Sequence, residues 1–247
     1  MSIIKFTILN VRVDNLSREK IVDRVENALS QKKEGRNFLQ INTINPEFIL
    51  EARKNQKFRD ILNAKTSLNI VDGIGIKFAG WRQGYNLKYR WPGVDLMGEI
   101  LKIANKNKQK VLIITHKESL SNKNEIKAVV KNLYPKLKVK VIVMQRFNLR
   151  KQEDWKFANM NYDIALCNFG APQQEILLHD LQNYNIKLAM GVGGSFDFLT
   201  GKIKRAPKWL RKIGLEWFWR LILEPRYRLK RIWQAVIIFP IKIVFNK

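Results

Sequence analysis

Six short apolar runs punctuate the chain, at residues 37–44, 67–71, 111–115, 139–144, 163–168 and 187–192. Several are almost continuously apolar instead of alternating, the pattern of parallel strands covered on both faces. Between them, polar positions fall at helical spacing and the helix starts are marked. Asn45-Pro46-Glu47 supplies an N-cap, a proline for the first helical position and an early carboxylate, which predicts a helix reaching about residue 63. Ala171-Pro172 opens another toward Gln182. This alternation predicts an α/β fold, a Rossmann-like sandwich with a largely parallel sheet. Sheets of that kind take ligands beyond the carboxyl ends of their strands.

The pattern changes near Lys204. Between Lys202 and Lys247 there are thirteen Lys/Arg against two acidic residues, Glu216 and Glu224, with Trp209, Trp217, Trp219 and Trp233 interleaved. The expected organisation is an α/β domain over 1–203 and a basic, amphipathic helical appendage over 204–247 that associates with a membrane. The longest apolar stretch, 232–245, is broken by Gln234, Pro240 and Lys242. It is shorter than the roughly 20 residues that span a bilayer.

Composition narrows the partners. A net charge of +25 over 247 residues favours a polyanion, either nucleic acid or an anionic membrane surface. An apolar fraction of 46% excludes global disorder. The single Cys167 excludes an internal disulfide framework and fits a reducing compartment. Met-Ser-Ile-Ile-Lys-Phe-Thr lacks the apolar core of a signal peptide, so a cytoplasmic location is expected.

Polar residues gather where the strands end. Asp72 closes the run at 67–71 and precedes Gly73 and Gly75; it could be a general base or simply cap the next helix. Thr43 and Asn45 offer a hydroxyl and an amide at the same edge, with capping the alternative for Asn45. Gln174 lies in Pro-Gln-Gln-Glu, and Gly193-Gly194 follow the last run, where backbone amides could reach a phosphate. By themselves Asp197 just beyond reads as an N-cap and Arg90, one of 46 Lys/Arg, as a surface arginine. His116 and His179 are the only histidines, and no Asp-x-Asp pair occurs, so neither a metal nor a cofactor is expected. Neither histidine has a serine or cysteine elbow beside it, which disfavours a nucleophilic triad.

Several motifs occur together in a fixed order: Asn42-Thr43-Ile44-Asn45-Pro46-Glu47, Val71-Asp72-Gly73-Ile74-Gly75, Pro92-Gly93-Val94-Asp95-Leu96, Asn168-Phe169-Gly170-Ala171-Pro172-Gln173-Gln174-Glu175, Gly191-Val192-Gly193-Gly194-Ser195-Phe196-Asp197 and Glu224-Pro225-Arg226-Tyr227-Arg228. Over roughly residues 36–231 the chain resembles the WecG/TagA/CpsF family of bacterial glycosyltransferases. The resemblance implies transfer of N-acetylmannosamine or a related hexose from a UDP-sugar to an undecaprenyl-diphosphate-linked sugar, with inversion and without metal. The setting it implies is peripheral, on the inner face of the cell membrane, in teichoic acid, common antigen or capsule assembly.

It also implies roles for particular residues. Asp72 would be the base, Thr43 and Asn45 donor-site residues, Gln174 a neighbour of the nucleotide and Arg90 an active-site cation. The Gly193–Asp197 segment would line the pocket, and Arg220, Arg228 and Arg231 would bring positive charge to a diphosphate. Two segments depart from the family pattern: Thr115-His116-Lys117-Glu118 replaces a glycine-rich turn, and Gln145-Arg146-Phe147 stands where Gly-Tyr-Phe is typical. A basic nucleic-acid-binding protein and a non-catalytic membrane scaffold are the alternatives, the first disfavoured by the lack of any nucleic-acid motif. A homo-oligomer is left open.

Overall fold

The computed structural model describes residues 5–30, 38–145 and 161–245. Arg146, Phe147 and the first four residues therefore lie outside the described residues. The described chain begins with a hairpin that the apolar pattern does not announce, β1 (Lys5–Ile8) and β2 (Val11–Asp14), paired antiparallel. Its turn residues Leu9 and Asn10 both adopt positive φ, 47° and 66°. Glycine usually fills such positions, so the turn carries no glycine signal. Helix α1 (Arg18–Ser30) follows and buries Ile21, Val25, Ala28 and Leu29, one stripe at helical spacing.

The six apolar runs become β3 (Leu39–Ile44), β4 (Ser67–Val71), β5 (Lys110–His116), β6 (Lys138–Met144), β7 (Ile164–Cys167) and β8 (Leu188–Gly191). Among the described residues the sheet has eight strands in the order β1-β2-β4-β3-β8-β7-β5-β6, parallel throughout except for the hairpin. The helix expected to reach residue 63 is two helices, α2 (Pro46–Lys54) and α3 (Gln56–Asn63). Asn55 divides them. Its amide closes α2 on Glu51 O at 2.9 Å while its side chain accepts from Phe58 N at 3.0 Å. A side chain able to cap locally competes with helix continuation, and here it wins.

Helices cover both faces. On one side α1, α5 (Gly93–Lys106), α6 (Lys123–Leu133) and α8 (Ser195–Leu199) bury Val111, Ile113 and Leu166 of the sheet. On the other side α2, α3 and α4 (Ile74–Arg82) enclose Ile44 and Val71, while α7 (Gln173–Asp180) packs on Leu112 and Cys167. Burial on both sides is why these strands read as continuous apolar runs.

The basic stretch folds as α9 (Lys208–Lys212), α10 (Glu216–Leu223), α11 (Pro225–Trp233), a π-helical turn (Gln234–Ile238) and α12 (Phe239–Phe245). It does not hang free. Phe239 is fully buried and, with Ile243, joins the cluster of Phe48, Ile76 and Ala79. Gly75 permits this approach: a Cβ there would lie 2.6 Å from Pro46 Cγ and 3.8 Å from the Phe239 ring. The outer side remains apolar and exposed at Trp209, Leu229, Trp233 and Phe245. Among the described residues no helix is long and apolar enough to cross a membrane.

Candidate active site

Strand register brings the polar strand ends level. Thr43 pairs with Ile70 and Ile44 with Val71, while Cys167 pairs with Gly191, so the loops beyond them rise from one sheet edge. They surround a cleft of about 1130 Å³, roofed by α10, α11 and the π-helical turn. Ligand pockets typically measure about 300–1,000 Å³, so this one has room for more than a single small molecule. Every predicted site residue lines it: Thr43, Asn45, Asp72, Arg90, Gln174, Gly193, Gly194, Asp197, Arg220, Arg228 and Arg231.

Asp72 sits at the end of β4, its amide donating to Ile44 O at 3.0 Å. It keeps partial solvent contact through the cleft, yet dense protein around it penalises the charged form. That burial pushes its carboxyl from 3.8 up to about 7; the Arg90 charge and the Gly93 amide pull it down, and Glu216 and Asp95 push it further up. A carboxylate that ionises near neutral pH is matched to accepting a proton from a hydroxyl. No capping bond ties its side chain to α4, whose N-cap position is Gly73.

Arg90 is committed to the backbone. It donates to Asp72 O at 3.3 Å and Arg211 O at 2.6 Å, joining the end of β4 to α9. Its charge thus reaches Asp72 while its geometry fixes the appendage. Thr43 lies on β3 against the start of α5, where a Cβ on Gly93 would stand 3.4 Å from its hydroxyl. Asn45 caps α2, its Oδ1 accepting from Phe48 N at 3.1 Å, which leaves the Nδ2 donors for the cleft.

Gln174 is buried and acts as a clamp. Its Oε1 accepts from Gly170 N at 3.0 Å and Gly193 N at 3.2 Å, tying the turns after β7 and β8 together. Its Nε2 donates to Glu175 Oε1 at 2.6 Å. Gly191 has no room for a Cβ beside this pair. Asp197 also serves the scaffold, its Oδ1 accepting from Ser121 N at 3.1 Å and Ser121 Oγ at 2.7 Å. The N-cap expected of Asp197 is not formed, since it lies inside α8, and nothing in the spacing signalled its bond to Ser121 or the clamp made by Gln174.

The cationic rim is ordered by carboxylates. Glu224 Oε2 accepts from Arg220 at 2.7 Å and Arg228 at 3.0 Å, one turn away on either side. Arg220 also stacks over Phe198, 4.8 Å from its centroid, and stands beside Gly194. Burial, then the neighbouring Arg220 charge, lowers the Arg228 pKa. Arg231 reaches Glu47 in the first turn of α2. Arg205 makes a bidentate pair with Asp95, at 2.6 and 2.8 Å, and a 3.0 Å bond to Glu216. Burial alone would raise Asp95, but Arg205 holds it below the usual carboxylate range. Glu216 and Glu224, which line the cleft, were not anticipated there; Arg205 and Asp95 stand outside its lining. The signal was present for Glu224, which stands four residues from Arg220 and from Arg228.

The atypical loop at 115–118 also reaches the cleft. His116 Nδ1 accepts from Glu118 N at 3.1 Å, and its ring meets Phe169 edge-on at 5.3 Å.

Fold and cleft define a Rossmann-like α/β protein with an enzyme-type site at the carboxyl edge of its sheet. The sequence model of the glycosyl transferase WecG/TagA/CpsF family matches residues 6–247. The chain belongs to that family and is a glycosyltransferase. An N-acetylglucosaminyldiphosphoundecaprenol N-acetyl-beta-D-mannosaminyltransferase of Bacillus subtilis (strain 168) is 33% identical over 92% of this chain and 86% of its own. One of the same name from Staphylococcus aureus (strain MRSA252) is 31% identical over 98% of this chain and 93% of its own.

Proposed function

We propose that this enzyme transfers N-acetylmannosamine, or a closely related hexose, from a UDP-sugar to an N-acetylglucosamine linked through diphosphate to undecaprenol. The product would be an intermediate of a cell-surface polysaccharide of the teichoic acid, common antigen or capsule kind. The observation that carries the reading is Asp72, a carboxyl poised near neutral pH at the foot of a cleft rimmed by Arg220, Arg228 and Arg231. The names of the relatives supply the acceptor and the transferred sugar.

In this mechanism the acceptor hydroxyl attacks the anomeric carbon and its proton passes to Asp72. The bond from that carbon to the UDP oxygen breaks, and the electron pair leaves on the diphosphate. One displacement without a protein nucleophile inverts the anomeric centre, which accords with the beta product in the relatives' names, since UDP-hexoses carry the sugar in α linkage. Thr43 and the Asn45 amide would hold the donor, and the Gly193 and Gly194 turn would approach its phosphates. Arg220, Arg228 and Arg231 would offset charge on the donor or lipid diphosphate through charge-assisted hydrogen bonds. Arg90 acts by placing Asp72 and α9. With no Asp-x-Asp pair in the chain, these cations take the part of a divalent ion, so transfer is metal-independent.

The 204–247 appendage would rest on the inner face of the cell membrane. Its exposed Trp209, Leu229, Trp233 and Phe245 lie among cations, each contributing about 1 kcal/mol near an anionic leaflet. The reading is tested by incubating the full chain with a synthetic polyprenyl-diphosphate-GlcNAc and a panel of UDP-sugars, with and without EDTA. A disaccharide-lipid product in both arms supports it. No product from any donor refutes the activity, and a product lost in EDTA refutes metal independence.

A further inference from the structure

The cleft changes character along its length. Its lining mixes polar Asp72, Arg220 and Arg228 with apolar Ile74, Phe78, Ile232, Val236 and Pro240, and from α11 to α12 the lining residues pass from Arg228 and Arg231 to Ile232, Val236 and Pro240. Ile74, Phe78 and Val236 are exposed by 40%, 36% and 43%, although they belong to a concavity instead of a convex surface. The appendage builds this concavity. Ile74 presses on Gly214, where a Cβ would come within 2.9 Å, and Phe239 seats beside Gly75. Ile74 stays partly open to the cleft even so, and Phe78, one turn on, is exposed in the same cleft. Trp81 on α4, Ile237 in the π-helical turn and Ile241 on α12 add exposed apolar surface on the same elements.

A lane with arginines at one end and an apolar surface at the other matches a lipid diphosphate in both charge and polarity. Resting on the reading given under Proposed function, we propose that it receives the first isoprene units of the acceptor. The diphosphate lies at Arg228 and Arg231, and the branched chain runs between α4 and residues 232–240 on its way to the bilayer. Ile74 and Phe78 of the α/β domain, and not the appendage alone, then select the lipid. Each buried CH₂ is worth about 0.8 kcal/mol, so one or two isoprene units seated in the lane are enough for a preference of tenfold or more.

The test uses the full chain with two soluble acceptors, GlcNAc-diphosphate bearing a farnesyl chain and the same head group bearing a methyl stub. Wild type is expected to show a KM for the farnesyl acceptor at least tenfold lower. Phe78→Ala and Val236→Ser should each shrink that ratio severalfold, whereas Leu133→Ala, an exposed leucine on α6 away from the cleft, should leave it unchanged. All three positions are partly or fully exposed, and thermal unfolding confirms that the variants fold. Equal KM values for the two acceptors, or an unaltered ratio in both lane variants, would overturn the lane while leaving the transferase reading intact. Turnover of neither acceptor with any UDP-sugar would overturn both.

Discussion

Gln174 Nε2 donates to Glu175 Oε1 across 2.6 Å, and both side chains are buried beneath the turns after β7 and β8. The pair aims the Gln174 carbonyl at the Gly170 and Gly193 amides. Replacing Gln174 with Leu would leave those amides without their acceptor, and a lost buried partner costs about 1–3 kcal/mol. The expected outcome is a loss of stability of about that size together with a raised KM for the UDP-sugar, as the two turns lose their shared acceptor. Steady-state kinetics of the variant check this.

Burial pushes the Glu175 carboxyl up to about 7, from 4.5. The folded protein therefore holds a proton that the unfolded chain releases, and ionising it in place is unfavourable. Stability is expected to fall as pH rises from about 4.5 to about 7. Glu175→Gln keeps an acceptor for Gln174 and cannot ionise, so it should fold, turn over and lose this part of the pH dependence. Denaturant melts of both proteins across that range measure it.

Glu216, which lines the same cleft from α10, raises Asp72 through its charge. Glu216→Gln removes one of the charges opposing ionisation, so the acid limb of kcat/KM should move to lower pH. A limb that stays put, or moves upward, would show that the two carboxyls do not sense each other.

Phe239 carries the appendage into the core. Phe239→Ala should destabilise the protein by about 3–5 kcal/mol, the usual cost of emptying a buried phenylalanine site. Leu229→Ser, at an exposed position, should barely alter stability but should weaken sedimentation with anionic liposomes. Chemical denaturation and vesicle sedimentation separate the two effects.

Most of the six parallel strands were legible because burial on both faces favours nearly continuous apolar runs, whereas β6, with Lys138, Lys140 and Val143 exposed, showed through its β-branched residues. The N-terminal hairpin was not, since Leu9 and Asn10 occupy positive-φ positions without glycine. The break at Asn55 was hidden because asparagine can sit inside a helix or cap one, and only the fold around it decides. That the residues from Thr43 and Asp72 through to Arg231 would line one cleft was largely legible, because the motifs cluster where strands end. What each side chain does was less so. Arg90, Gln174 and Asp197 hold backbone and loop groups from distant segments, at separations of 121 residues for Arg90–Arg211 and 76 for Ser121–Asp197. The appendage read as apolar and basic, but Phe239 and Ile243 seat in the core while the equally apolar Ile241 and Val244 stay exposed, so apolarity alone did not mark the docked face.

The pH dependence of kcat/KM for wild type and Asp72→Asn, on the polyprenyl-diphosphate-GlcNAc acceptor, tests the assignment of Asp72 as general base. Wild type should gain activity as pH rises through about 7, where the carboxyl loses its proton, and then level off. Asp72→Asn should retain UDP binding, fall by about 10²–10⁴-fold and lose that limb, as the removal of a general base predicts. An Asn variant that turns over at the wild-type rate with the limb intact would contradict it.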